Sequence, residues 1–347
     1  MIRDWFHQDI GIDLGTANTL IYVQRQGIVL NEPSVIAVDE ETNKVLAVGV
    51  EAKAMLGRAP AHIRVIRPLS DGVISDITMA QTMLEAFLHK VLPDRALFKS
   101  VRIVLGVPSG VTGVEKRAVE EVARQMGARS VFVLEEPMAA AIGVGLPVGS
   151  AQASMIADIG GGTTDIAIIS LGGIVTATSL REAGDEMNEA IVNYMRHTYG
   201  ILIGEQMAEV IKKEIGCVYL DPSDRKAMRH MEARGRDLIT GYPKSVTISS
   251  KDVMTALEEP VRILLDGVKN TLEEAPPELA ADIVNTGITL AGGGALLRGL
   301  DRLLFEETGL KVVVAENALS AVAEGTGKSL MNLNLLKRCA LSDHKHY

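Results

Sequence analysis

An α/β architecture of two related units facing each other across a cleft follows from this sequence on three grounds. Glycine-rich turns fed by apolar strands occur three times, at Ile10-Gly-Ile-Asp-Leu-Gly-Thr-Ala-Asn18, Ile156-Ala-Asp-Ile-Gly-Gly-Gly-Thr-Thr-Asp165 and Ile288-Thr-Leu-Ala-Gly-Gly-Gly-Ala295. The first two turns open matching stretches: Gly27-Ile-Val29 follows Asp13 after fourteen residues, and Gly173-Ile-Val175 follows Asp158 after fifteen. A further pair of segments then repeats late in the chain, so the unit reads as duplicated.

Each element has its own signal. After the first two turns the chain returns into the β-branched runs Thr19–Val23 and Asp165–Ile169, where a Walker A loop or a dinucleotide fingerprint would begin a helix. Glycine admits backbone N–H groups close to an anion, and threonine and asparagine add donors, so the turns read as phosphate-handling. The repeated late pair is strand 101–107, helix 114–126, Gly127, strand 131–134 and Glu135-Glu-Pro-Met-Ala-Ala-Ala-Ile-Gly143, against strand 288–290, helix 296–308, Gly309, strand 312–314 and Glu316–Gly325. A helix over 79–91 precedes the first of these, and the polar stretch Leu220–Arg236 reads as loop.

Composition sets the class. The 347 residues are 47% hydrophobic, 23% charged and only 3% aromatic, ample for an Ile, Val, Leu, Ala and Met core. Cys217 and Cys339 lack metal-ligand spacing and point to a reducing compartment, and the histidines are too scattered for zinc. A formal charge of −9 argues against a nucleic-acid partner. The N-terminus carries Arg3, Asp4, His7 and Asp9 before any apolar run, which is not a secretory signal. The uncharged stretch 137–157 holds prolines, glycines and serines and fits a buried helix and loop better than a membrane span.

Spacing alone puts Asp13 and Asp158 at corresponding points of facing hairpins, where they suit a Mg2+–nucleotide site; turn-capping aspartates are the plainer alternative. Glu136, at a strand end before Pro137, is either a catalytic carboxylate or a complement to a helix dipole. Leu97 and Phe98 form an apolar pair among Lys90, Arg95, Lys99 and Arg102, the pattern of a membrane-inserting loop or of a buried anchor. Trp5 and Phe6 are candidates for a second anchor.

Taken together, Gly11-Ile-Asp-Leu-Gly-Thr-Ala-Asn-Thr-Leu20, Asn31-Glu-Pro-Ser-Val35, Glu135-Glu-Pro-Met138, Asp158-Ile-Gly-Gly-Gly-Thr-Thr164, Pro276-Pro-Glu-Leu-Ala280 and Ala291-Gly-Gly-Gly-Ala-Leu-Leu-Arg-Gly299 resemble the MreB/Mbl family of bacterial actins, from about Asp9 to about Lys328. The resemblance implies an actin-like ATPase fold, with duplicated ribonuclease H-like domains around a nucleotide cleft. It implies subdomain IA over 1–30, 68–145 and 318–347, IB over 31–67, IIA over 146–183 and 245–317, and IIB over 184–244, with a last helix near 320–330 crossing back to the first unit. ATP or ADP with Mg2+ would lie against Gly15, Thr16, Ala17 and Asn18, against Gly160, Gly161, Gly162, Thr163 and Thr164, and against Gly292, Gly293, Gly294 and Ala295. Gly184, Asp185, Glu209 and Lys212 would hold ribose and adenine; read without the family, Glu209 and Lys213 are an ordinary i, i+4 pair. Asp13 and Asp158 would hold Mg2+ through water, and Glu136 and Thr163 would orient the attacking water.

The same resemblance implies slow ATP hydrolysis coupled to assembly, head-to-tail protofilaments in antiparallel pairs, and a peripheral place on the inner face of the cell membrane through Leu97, Phe98, Trp5 and Phe6. Partners would be other copies, lipid and membrane proteins of the wall-elongation complex, in the service of rod shape. A stand-alone ATPase of the same superfamily, chaperone-like or a small-molecule kinase, is the alternative; the short tail after Leu330 argues against a chaperone's substrate domain. Asp165 departs from the commoner Glu of the pattern, leaving the paralogue open.

Overall fold

The structure is a computed structural model and describes residues 9–70, 72–92, 101–125, 127–220 and 228–340. Leu97, Phe98, Trp5 and Phe6 lie outside them.

The first unit opens with β1 (Ile10–Leu14), β2 (Asn18–Val23) and β3 (Gly27–Pro33), then makes an excursion through β4 (Ile36–Asp39), β5 (Val45–Val48), α1 (Val50–Met55) and β6 (Ile63–Ile66). A short hairpin, β7 (Leu69–Ser70) and β8 (Val73–Ile74), leads to α2 (Ile77–Val91), β9 (Arg102–Val107), α3 (Gly113–Gln125), β10 (Ser130–Glu135) and α4 (Glu136–Gly143). The second unit repeats the plan with β11 (Ser154–Ile159), β12 (Thr164–Ser170) and β13 (Gly173–Leu180). Its excursion is α5 (Gly184–Tyr199), β14 (Ile201–Leu202), α6 (Glu205–Ile215), β15 (His230–Asp237), β16 (Pro243–Ser249) and α7 (Ser250–Ala256). It closes with α8 (Glu258–Glu273), α9 (Pro277–Thr286), β17 (Ile288–Ala291), α10 (Leu300–Thr308), β18 (Val312–Val314), α11 (Ala321–Ser329) and α12 (Leu333–Cys339).

The duplication is plain in the pairing. One sheet runs β10-β9-β1-β2-β3, the other β18-β17-β11-β12-β13. In each, the opening hairpin is antiparallel and the remaining two strands join in parallel. Even the register shift recurs, at Ile21/Tyr22 in one sheet and at Ile168/Ile169 in the other. A parallel pair needs a crossover, and the helices that supply it cover the sheets, so β11 and β12 are buried along their whole length.

Each sheet has its own core, and a third apolar cluster unites them: Val104 and Leu134 of the first sheet, Ile156, Ala167 and Ile169 of the second, with Met138, Ala139, Val322 and Leu336. At its centre α4 and α11 cross in backbone contact. A Cβ on Gly143 would stand 1.8 Å from the Ala321 carbonyl oxygen, and one on Gly325 would stand 1.7 Å from that of Ala139. Gly143 and Gly325 are separated in sequence by the same interval as Ala139 and Ala321, so the two contacts are one contact made twice across a pseudo-two-fold axis. The late helix does cross back: α11 lies on β1 and β2, with no room for a Cβ on Gly327 beside the Tyr22 ring.

Three details differ from the sequence reading. Residues 230–236, read within a loop, belong to β15 and pair with β16 throughout; the strand is polar because only Ala233 is buried. The helix expected over 296–308 starts at Leu300, after a 3₁₀ turn at Gly294–Leu296 and a left-handed Gly299. The tail past Leu330 contains α12, capped by Asn332, whose side chain accepts from Leu335 N at 3.1 Å.

Candidate functional site

The site is built by strand ends. β1 and β11 each lead through an aspartate into a glycine turn, and the turns press together: a Cβ on Gly161 would meet that of Ala17 at 2.6 Å, and one on Gly162 would meet Thr16 Oγ1 at 2.7 Å. The second turn is closed by Gly160 N donating to Thr163 O (2.8 Å) and tied to the start of α5 by Asp185 N donating to Gly161 O (2.7 Å). The first is braced by Ser34, whose Oγ donates to Gly15 O at 2.6 Å, while Thr16 Oγ1 accepts from Gly72 N at 3.1 Å. The third turn folds onto the end of β11; Gly292, at φ +79°, is left-handed and leaves no space for a Cβ beside Asp158 Oδ1.

Between these turns and α5, α6 and the start of α11 lies a cavity of about 800 Å³, within the range of small-molecule sites. Its walls include Asp13, Gly15, Thr16, Ala17, Asn18, Glu136, Asp158, Gly160, Gly161, Gly162, Thr163, Gly184, Asp185, Glu209, Lys212, Gly292, Gly293 and Gly294. Thr164 and Ala295 do not line it: Thr164 points the other way along β12, its Oγ1 donating to Glu182 O at 2.7 Å, and Ala295 is buried behind its turn. Unanticipated wall residues include Gly72, Asn188, Arg229 and Arg298. Arg298 ends the Gly-Gly-Gly-Ala-Leu-Leu-Arg motif, and Asn188 stands four residues after Gly184, an i, i+4 signal that was available in the sequence.

The electrostatics of the cavity are dominated by buried carboxyls. Burial lifts the Asp13 carboxyl to about 7 and carries Asp158 well above the carboxylate range, where Asp13 and Asp165 add repulsion. Glu136 is raised well above its ordinary value by burial first, then by Asp165, Asp13 and Asp158. Burial lifts Asp165 to about 6, against the pull of hydrogen bonds from Ser179, Ser109 N (2.8 Å) and Thr163. Among the described residues no cation pairs with Asp13, Asp158 or Glu136. Among those residues no group of three or more His, Cys, Asp or Glu is placed to hold a metal ion.

On the opposite wall Lys212 donates to Gly184 O, and burial lowers its ammonium to about 8. Burial would raise Glu209, but Lys213 (2.6 Å) and Lys53 (2.7 Å) hold it at about 2. Lys53 belongs to α1, so this pair joins the two excursions; Arg67 adds bonds to Glu205 (2.5 Å) and Asp185 (3.8 Å), and Gln206 Nε2 donates to Lys53 O at 2.8 Å. Buried polar atoms without a partner include Asn188 Oδ1, Arg298 Nε and Ser109 Oγ.

Duplicated sheets, paired glycine turns and acids at both strand ends define an actin-like fold with its nucleotide cleft. A solved MamK double helical filament shares that fold at TM-score 0.78 and 22% identity, covering 94% of this chain and 99% of that one. The chain belongs to the MreB/Mbl family: the family model for MreB/Mbl protein matches residues 7–338. It is 52% identical over 337 residues to the cell shape-determining protein MreB of Escherichia coli (strain K12), spanning 96% of each chain. The crystal structure of MreB 5 of Spiroplasma citri bound to AMPPNP matches at TM-score 0.89 and 40% identity, covering 95% of this chain and 97% of that one.

Proposed function

We propose that this chain is a cell shape-determining bacterial actin that binds ATP in the cavity between its two sheets, hydrolyses it slowly, and assembles head to tail into filaments on the inner face of the cell membrane. The observation that carries the reading is the meeting of two glycine turns around buried carboxylates that lack cationic partners among the described residues. Gly15–Asn18 and Gly160–Thr163 offer backbone and hydroxyl donors to phosphates, and Gly184, Glu209 and Lys212 offer a sugar and base surface. Asp13 and Asp158 fit Mg2+ held through water, an ion that supplies charge neutralisation at the phosphates. Glu136, fixed at the first turn of α4, and Thr163 orient the attacking water; such positioned acid–base groups contribute about 10²–10⁴-fold.

A chain that repeats one contact head to tail without closing forms filaments, and the ion pairs from Lys53 and Arg67 to α5 and α6 tie the two excursions together beside the cavity. No described helix is long and apolar enough to cross a membrane; attachment would rest on Leu97 and Phe98, with Trp5 and Phe6, multiplied along a polymer. Antiparallel pairing and contact with membrane proteins of wall elongation belong to this reading too. The test is sedimentation with anionic liposomes, with and without Mg-ATP, of the parent and of a Leu97→Ser/Phe98→Ser double variant. ATP-dependent pelleting that the double variant loses supports the reading; a parent that turns over ATP yet stays in the supernatant sinks the filament and leaves a stand-alone ATPase.

A further inference from the structure

One end of the first sheet, away from the cavity, carries a row of arginines. Arg129 leads into β10, Arg102 opens β9, Asp9 precedes β1 and Arg25 follows β2, and those strands are neighbours in that order. Backbone bonds tie the row together: Arg129 N donates to Val101 O at 2.9 Å, and Gln24 N to Asp9 O at 3.0 Å. Adjacent strands lie about 4.8 Å apart, so the row spans roughly 15 Å. Its acids lie underneath and its cations outside. Asp9 is 1% exposed, with Arg102 Nε donating to its Oδ1 at 2.8 Å and Arg102 Nη2 to its Oδ2. Arg124, in the last turn of α3 at the same end, stands exposed over a buried Glu120 at 3.6 Å. Glu121 beside it is exposed and accepts from Gln125 Nε2 at 2.8 Å. Arg25 and Arg129 are exposed and make no side-chain bond among the described residues.

Arg25 also sits at φ +72°, in the left-handed region that glycine fills without strain. A side chain held at such a place points to function rather than to stability. Residues 1–8 join the chain at Asp9 and residues 93–100 at Val101. Both apolar stretches, with Trp5 and Phe6 in one and Leu97 and Phe98 in the other, are therefore tethered to this row.

We infer that the row is a docking surface for anionic lipid headgroups, with Arg25 and Arg129 meeting phosphates on either side of the mutually neutralised Asp9–Arg102 pair. This rests on the membrane reading above and deepens it, adding a choice of lipid to apolar insertion. The chain as a whole carries −9, which an anionic bilayer repels, so a local excess of cations has to supply that choice. The guanidinium fork matches phosphate oxygens.

The test floats the full chain, with Mg-ATP, on vesicles of phosphatidylcholine alone and of equal parts phosphatidylcholine and phosphatidylglycerol. The parent should bind the mixed vesicles at least about tenfold more tightly, since each cation near an anionic surface is worth about fivefold. Arg25→Gln/Arg129→Gln should lower that affinity at least about tenfold and leave binding to phosphatidylcholine within about twofold. Arg58→Gln/Arg196→Gln removes the same charge from exposed arginines elsewhere and should stay within about twofold of the parent on both. Arg25→Gly should weaken mixed-vesicle binding about fivefold while melting no lower than the parent, because it relaxes the turn. Equal parental affinity for the two vesicles, a row variant that binds like the parent, or a control variant that loses as much overturns the inference and leaves apolar attachment standing. An Arg25→Gly protein that melts lower makes the arginine structural and overturns it as well. A parent that binds neither vesicle overturns the membrane reading too, so the two failures are distinct.

Discussion

Gly325→Ala puts a methyl group where α4 and α11 touch. The new Cβ would lie 1.7 Å from the Ala139 carbonyl oxygen, 2.5 Å from its carbon and 2.9 Å from Gly143 N, where ordinary contact begins at 3.4 Å. Every obstacle is backbone, so no side chain can rotate away, and the helices must part by about as much as the shortfall. Overpacking of this kind costs about 3 kcal/mol, the upper end of its usual range. Alanine returns about 1 kcal/mol through its better helix propensity inside α11, leaving a net loss of about 2 kcal/mol and a melting temperature lower by about 3 °C for a chain of 347 residues. Thermal unfolding of the nucleotide-free chain reads the sign directly. Gly113→Ala, where a Cβ meets nothing within 4 Å, is the control and should be neutral or stabilising. A Gly325→Ala protein that melts at or above the parent temperature would refute the crossing, because a glycine that merely weakens a helix is improved by alanine.

Other outcomes follow from the site. Glu136→Gln should lower ATP turnover by roughly a hundredfold or more while ATP affinity stays within about threefold, read by phosphate release and by titration; equal turnover would remove Glu136 from the reaction. Without nucleotide and magnesium, the raised Asp13 (about 7) and Asp165 (about 6) favour the protonated folded state. That contribution is full below the unfolded carboxylate value and is lost as pH rises through the folded values of about 6 and about 7, so melting temperature should fall between about pH 5 and about pH 8. Mg-ATP should flatten the slope, and a flat nucleotide-free profile would contradict the buried cluster. Lys53→Ala should leave stability within about 1 kcal/mol, since the pair with Glu209 is partly exposed. It should quicken release of a fluorescent nucleotide up to about fivefold in stopped flow; unchanged release would separate the excursions' ion pairs from the nucleotide.

What the sequence disclosed depended on how local its signals were. The turns at Asp13 and Asp158 were legible because short apolar strands, glycines and an acid recur at matched spacing, and that spacing is set by a hairpin. The Lys53–Glu209 pair was not, because its partners are 156 residues apart and nothing local marks either one. β15 hid because a strand with only Ala233 buried carries no apolar alternation. Asn188 carried a local signal, four residues after Gly184, yet in an amphipathic helix a buried amide reads as an ordinary interior residue. Thr163 and Thr164 looked alike, and only the alternation of side chains along β12 separates the one that faces the cavity from the one that serves Glu182.

The duplicated frame also has a bearing on ancestry. Two copies of one unit, related by an axis between α4 and α11, would hold two equivalent faces toward whatever lay between them, yet a nucleotide has no two-fold symmetry. Equivalence therefore had to be given up somewhere, and the chain records where: the interval that relates Gly143 to Gly325 relates Glu136 to Ala318, and both line the cavity. One half carries an acid at that place and the other a methyl group, so under the proposed function a symmetric scaffold would offer attacking water a single direction of approach.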